Sequence, residues 1–290
     1  MDGAVLVPAV ASIGTMLQGW DYQSIAAASF YITKEFNLQS MPAMQGSILA
    51  VGFVSAIIVT TFSDVLADKF GRWWMLFSSS ASFFVSAVLM PLIFNVYMLL
   101  FMRAITGLGM GLAVATVPLY ISEITRTGET GWLNAFPQFS ACGGMILSYC
   151  MVSCIPQMQN AEWRIMLAMQ SIPSLVSIVL IFLYLPESPK WLLSQGRVDE
   201  AKQVLQRLRA TEDVNCEMAL LIEGTGDGQT LYMEEYLIGP TETTTDDELV
   251  SDQEMMKLYG LEEDFCCVAY PVKGQSTLPV LCPLSIQDFL

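Results

Sequence analysis

Six stretches without a charged residue, 3–20, 36–63, 73–102, 104–122, 130–161 and 165–186, fill the first two thirds of this chain. A helix that crosses the hydrocarbon core needs about 20 mainly apolar residues, and its backbone polar groups must be bonded internally. Repeated runs of that length have no use in a soluble domain of this size. The pattern therefore predicts a polytopic membrane protein, all-α in fold class. The runs place six helices near 5–28, 44–63, 73–93, 96–120, 133–155 and 165–185. Beyond them, RVDEAKQVLQRLR at 197–209 sets Val198, Ala201, Val204, Leu205 and Leu208 on one stripe with charge elsewhere, the pattern of a short amphipathic helix on the membrane face.

Two charges fall inside these helices, Asp21 in the first and Arg103 in the fourth. An ionisable group at that depth costs at least about 2.5 kcal/mol on insertion scales, so opposite charges on two helices suggest a pair facing a cavity instead of lipid. Asp21 is protonatable, and relative movement of helices 1 and 4 would change its surroundings enough to load and release a proton. A static buried pair that locks two helices is the competing reading.

The charge balance divides the chain. Residues 1–210 carry 11 Lys and Arg against 11 Asp and Glu, whereas 211–290 carry 2 against 17, so the net charge of −15 resides in the tail. With few apolar clusters, that tail cannot bury enough surface to offset its chain entropy and is expected to be mostly disordered. Its acidity argues against nucleic acid or anionic lipid as a partner. The expected divisions are a six-helix membrane bundle at 1–187, an amphipathic segment at 188–210 and an acidic segment at 211–290.

Lys69, Arg72, Arg126, Lys190, Arg197, Lys202, Arg207 and Arg209 gather on one side of the six helices, against only Lys34 and Arg164 on the other. The positive-inside rule then puts both termini in the cytosol. The N-terminus lacks a basic n-region and its first apolar run continues into Asp21, which reads as a signal anchor and not a cleavable leader. The 7 cysteines show no metal-type spacing and read as free thiols. Histidine is absent, which excludes His-based triads and HExxH zinc sites. No activated nucleophile, paired catalytic carboxylates or nucleotide loop appears, so an enzyme is not expected, and no cofactor is required.

Three motifs follow in order. Ser63–Trp74, SDVLADKFGRWW, resembles the G-x-x-x-D-x-x-G-R-[RK] loop of the major facilitator superfamily; Gly71 permits a tight turn, and Asp68 and Arg72 can pair with charges at neighbouring helix ends. Arg103 to Gly111, RAITGLGMG, is similar to the R-x-x-x-G-x-G-x-G of the sugar porter branch, and PLYISE at 118–123 follows it. Pro186 to Leu192, PESPKWL, resembles the P-E-S-P-R-W-L that closes helix 6 in that branch. The phrases GWD at 19–21, PQF at 137–139, LSYCMV at 147–152, VLQRLR at 204–209 and EMALLIEG, EEYLIGP, KLYG and PVKG in the tail narrow the likeness to the plant tonoplast monosaccharide transporters.

The resemblance covers nearly the whole chain and implies the N-terminal six-helix half of a major facilitator fold, followed by the start of a long cytosolic loop. It implies proton-coupled loading of monosaccharide into the vacuole, driven by the proton gradient without a cofactor. The partners implied are a sugar, protons, the bilayer and a second transporter half. By the same resemblance Asp21 and Arg103 form the coupling pair and Gln138 binds hexose, with Trp20 offering an aromatic face to the sugar. An interhelical hydrogen bond for Gln138 and simple helix packing for Trp20 remain the alternatives. Glu123 and Glu187, with Asp68, Gly71 and Arg72, would form the cytosolic gate. Asp64 stands where the family loop begins with Gly, Trp73 where it has a second Arg, and Thr130 where an Arg precedes Gly131. Those departures predict weakened gating. A truncated paralogue that does not transport, or a regulatory partner of full-length transporters, competes with the transporter reading.

Overall fold

The computed structural model describes residues 3–125, 133–154 and 162–209, with Val214, 217–218, 221–222, 265–267 and 283–285. Its helices are α1 (Gly3–Ala11), α2 (Ile13–Glu35), α3 (Pro42–Phe70), α4 (Arg72–Leu89), α5 (Val96–Ile124), α6 (Phe136–Cys154), α7 (Glu162–Ala168), α8 (Ser171–Tyr184), α9 (Pro189–Ser194) and α10 (Val198–Arg209). They belong to one compact unit, Met1–Thr211; Glu212–Leu290 forms a second. In that second unit β1 (Phe265–Cys267) pairs antiparallel with β2 (Pro283–Ser285), Cys266 opposite Leu284. This ladder is strand that the charge pattern did not predict. The disorder expected for the tail falls mostly outside the described residues.

Helix lies at each of the six expected places, with instructive differences. Helix 1 comprises α1 and α2, carried through Ser12 by hydrogen bonds from the Ser12 N–H to Pro8 and from the Met16 N–H to Ser12. Helix 6 comprises α7 and α8, jointed at Met169 and Gln170. Helix 2 was expected to end at residue 63, yet α3 runs on to Phe70 and stops at Gly71, whose φ of 90° suits only glycine. Asp64 to Lys69 mark the edge of the apolar stretch, and charged residues propagate a helix as well as apolar ones do, so the charge boundary and the helix boundary differ. Asn95 caps α5 by accepting the Tyr97 N–H at 3.1 Å, and Ser188 caps α9, with Pro189 in its first turn.

Among the described residues four helical segments are long and apolar enough to cross a bilayer: Pro42–Phe70, Arg72–Leu92, Val96–Ile124 and Trp163–Tyr184. The two remaining helices, α1–α2 and α6, are bridged by polar contacts. They lie side by side in parallel, with Thr15 donating to the Pro137 carbonyl at 2.9 Å and Ser24 bonding Ser148 at 2.9 Å. Gly19 faces the Ala141 carbonyl and Gly144 the Met16 carbonyl so closely that a Cβ at either glycine would clash. α3 and α5 approach in the same manner through Gly107, which rests on Gly52 and Ser55.

Three apolar clusters stack along the bundle. Val7, Val10, Leu76, Val117, Tyr120 and Ile181 fill one end. Leu17, Phe83, Met110 and Ala113 fill the middle, and Ile25, Ile32, Ile48, Leu99 and Trp163 the other end. The outer faces remain apolar, as lipid contact requires, with Ile57, Phe62 and Val65 of α3 and Phe182 of α8 exposed. α10 buries Ala201, Leu205 and Leu208, while Val198 and Val204 of the expected stripe are half-buried. Leu208 joins the end cluster that contains Val7 and Val10, so α10 packs on the bundle itself.

Candidate functional site

Asp21 and Arg103 meet in the interior. Arg103 directs one guanidinium nitrogen, Nη1, to both Asp21 oxygens at 3.0 Å each, and the two residues are 2% and 1% exposed. The next buried apolar positions along each helix assign the pair its depth. Leu17 and Met110 belong to the middle cluster, Ile25 and Leu99 to the far one, so the pair lies between these layers. Arg103 also rests against Gly52 of α3, where a Cβ would come within 3.2 Å of Nη2. The contact falls short of a two-nitrogen fork, and Arg103 Nε is buried without a hydrogen-bond partner. A buried ion pair with an unused donor is held less tightly than its burial suggests, because only complete hydrogen bonding repays desolvation.

The structure does not bring every expected site residue to this pair. Trp20 precedes Asp21 on the α2–α6 seam, half-buried, and its indole N–H is enclosed without a partner. Gln138 lies in the first turn of α6, exposed, beside a Phe139 that is 74% exposed. It is open to a ligand or to another protein surface, and the interhelical hydrogen bond at this height is made by its neighbour Pro137. On α2, Gln18 donates to the Tyr22 hydroxyl at 2.6 Å and Tyr22 stacks on Phe53, with ring centroids 5.4 Å apart.

The expected gate residues converge at one end of the bundle. Arg72 donates from Nε and Nη2 to the two Glu123 oxygens at 3.1 and 3.0 Å, and from Nη1 to Asp68 at 3.1 Å and the Ala67 carbonyl at 3.0 Å. Among the described residues Glu187 does not pair with a side chain as its charge suggested. Its Oε1 accepts the backbone N–H groups of Arg72, Trp73 and Ser188 at 2.8, 3.0 and 3.2 Å, at the N-terminus of α4 where unpaired amides attract an anion. Gly71 is indispensable here, since a Cβ would sit 2.7 Å from the Glu187 carboxylate. Burial raises the Glu187 proton affinity, and the three amides and Arg72 oppose that rise. Tyr120 closes the group by donating to the Pro186 carbonyl at 2.7 Å, and the Trp191 indole donates to the Asp68 carbonyl at 2.9 Å.

Charge pattern alone missed three features. Trp73 stacks flat on Phe77 and meets Phe182 edge-on, so the position expected to have lost a latch joins α4 to α8 by aromatic contact. At the opposite end Glu35 accepts from the Trp163 indole and from Arg164, whose guanidinium also covers the Phe94 ring at 5.0 Å. The third is Gln170, uncharged yet 2% exposed. The departure at Thr130, the Gly131 that follows it, and Arg126 lie outside the described residues.

Comparison with known proteins follows the same lines. The family description "Sugar (and other) transporter" matches residues 7–244. The chain belongs to the sugar transporter family. It is 51% identical to Monosaccharide-sensing protein 2 of Arabidopsis thaliana over 97% of this chain and 39% of that protein, and 49% identical to Monosaccharide-sensing protein 3, also of Arabidopsis thaliana, over 96% and 38%. It thus spans about two fifths of the length of the curated relatives it matches. Among solved structures, the proton:xylose symporter XylE bound to 6-bromo-6-deoxy-D-glucose superposes with a TM-score of 0.69 at 28% identity, over 79% of this chain and 55% of that one. The partially occluded, inward-open form of XylE from E. coli gives a TM-score of 0.72 at 25% identity, over 79% and 60%. The fold is the N-terminal half of the major facilitator architecture, and the family is one of transporters, not enzymes.

Proposed function

We propose that this chain is the N-terminal half of a proton-coupled monosaccharide transporter of the vacuolar membrane, working as a sugar/proton antiporter. The buried Asp21–Arg103 pair carries the reading. It joins α2 to α5, places a protonatable group at mid-depth, and leaves Arg103 Nε unused, so little holds the pair shut when the helices shift. In this role Asp21 carries the proton, Arg103 responds to its charge, and Gln138 and Trp20 face the sugar. The driving force is an ion gradient and no cofactor takes part.

Alternating access in such folds rocks one bundle against another around a site between them. The exposed Gln138 and Phe139 of α6 fit a surface that a second half completes. The 1–187 bundle, the 188–210 segment and the acidic 211–290 segment are then one half with the start of the connecting loop, both ends cytosolic. The lock formed by Arg72, Glu123, Asp68 and Glu187 closes the cytosolic end. The test is tracer glucose uptake into vacuoles stripped of endogenous carriers. The expected result is no uptake by the 290-residue chain alone and proton-dependent uptake once a family second half is joined to it. Proton-dependent uptake by the chain alone, without self-association, would overturn the half-transporter reading. Protease protection on intact microsomes tests the topology, and a tail that survives digestion there contradicts it.

A further inference from the structure

Among the buried polar side chains of the described residues that belong to neither the charge pair nor the gate, one is an amide. Gln170 sits at the joint between α7 and α8, 2% exposed, and makes no side-chain cap to α8. Its Nε2 instead reaches across to α2 and donates to the Leu17 carbonyl at 3.4 Å. Leu17 is one helical turn before Asp21, so this carbonyl is also the acceptor for the Asp21 backbone N–H in α2. A side-chain donor that enters the backbone ladder shares the acceptor and adjusts the local bend of a helix. Leu17 is itself fully buried beside Phe83 and Met110, which holds the shared carbonyl in place.

We propose that Gln170 is a positioning residue for Asp21, fixing the turn of α2 that presents the carboxylate to Arg103. This rests on the reading of Asp21 and Arg103 as the coupling pair. The amide suits the task because it donates to a carbonyl without carrying charge. A carboxylate there would face the Leu17 carbonyl as an acceptor only, and an aliphatic side chain would leave the carbonyl to the Asp21 N–H alone. The buried charged groups on the elements around this stretch include Asp21 on α2 and Arg103 on α5. α4 contributes Arg72, buried at its first residue and engaged by Glu123 and Asp68 at the end of the bundle, α6 contributes none, and Arg164, at the start of helix 6, is engaged by Glu35.

The test is the pH profile of Asp21 modification by dicyclohexylcarbodiimide, which attacks protonated buried carboxyls, in the 290-residue chain reconstituted in liposomes, with Asp21→Asn as the assignment control. Gln170→Met keeps the volume and loses the donor, so the rate at Asp21 should change by about threefold or more at every pH. Gln170→Glu donates only while protonated. Its profile should match the wild type on the acid side and depart from it as the new carboxyl ionises, a rescue that loss of packing does not produce. Superimposable profiles for all three proteins would refute the assignment of Gln170 while leaving the coupling reading intact. A wild-type profile flat across about pH 4 to 8 would instead remove the coupling reading, and this inference with it.

Discussion

The Glu187 carboxylate accepts the backbone N–H of Arg72 at 2.8 Å, while the Arg72 side chain turns away to Glu123. One arginine therefore ties three chain segments together, through its main chain to the segment after α8 and through its side chain to α5 and α3. Glu187 acts as a tethered anion at the start of α4, so its charge state bears directly on this lock.

Burial raises the Glu187 proton affinity in the folded protein, and the amides of Trp73, Ser188 and Arg72 counter it. A carboxyl whose affinity is higher in the fold adds stability that is fully present below the ordinary glutamate range. That stability is lost as pH rises through the raised folded value. Glu187→Gln keeps an acceptor for the two α4 amides and does not titrate. The wild type should therefore lose thermal stability relative to Glu187→Gln as pH rises from about 4 to 7. Melting of both proteins in nanodiscs measures it; a constant difference across that range contradicts the expectation.

The glycine seams give a sharper steric contrast. At Gly107 a Cβ would overlap Ser55 and the Gly52 carbonyl, whereas at Gly143 it would meet nothing within 4 Å. Gly107→Ala should cost about 1–3 kcal/mol by forcing α3 from α5. Gly143→Ala should be neutral or stabilising by up to about 1 kcal/mol through helix propensity. Equilibrium unfolding in mixed micelles compares them, and equal effects would mean that the α3–α5 approach is looser than the structure shows.

α10 offers a test that needs no membrane measurement of function. Leu205 is 1% exposed in the stripe that docks this helix, whereas Arg197 and Glu200 form an exposed pair. Leu205→Asp buries an unpaired charge and should release the helix, giving rapid tryptic cleavage at Lys202 and Arg207. Arg197→Ala should change stability by no more than about 0.5 kcal/mol. Unchanged digestion of Leu205→Asp would show that the helix does not depend on this face.

How far each feature can be read from the sequence follows from its chemistry. Asp21 and Arg103 are legible because a charge within an uncharged run has few places to go in a bilayer. The α10 stripe is legible because its charges leave one face bare, and Gly71 because a tight turn in a charged loop calls for it. The far end of α3 is hidden, since charge marks the rim of the bilayer and not the end of the helix. Glu187 is misread by charge counting because its partners are main-chain amides, which every residue supplies. Gln170 gives no signal, being one amide among several, and only its burial against Leu17 distinguishes it. Trp73 shows the reverse: its identity is visible as a departure from the family loop, but its packing on Phe77 and Phe182 depends on the crossing of α4 and α8.

The Asp21–Arg103 pair separates a coupling role from a structural one. Arg103→Ala leaves the Asp21 carboxylate buried without its cation and should destabilise the bundle by about 3–5 kcal/mol, unless the carboxylate takes up a proton. Asp21→Asn keeps the shape and a carbonyl acceptor for Nη1 but cannot cycle a proton. Joined to a family second half, Asp21→Asn should abolish accumulation of sugar against a gradient while permitting downhill exchange, and Arg103→Ala should impair both. The deciding measurement is the pH dependence of uptake in each variant. If Asp21→Asn concentrates sugar with an unaltered response to pH, the proton travels by another route, and the incomplete fork that Arg103 makes to Asp21 is a structural tie between α2 and α5.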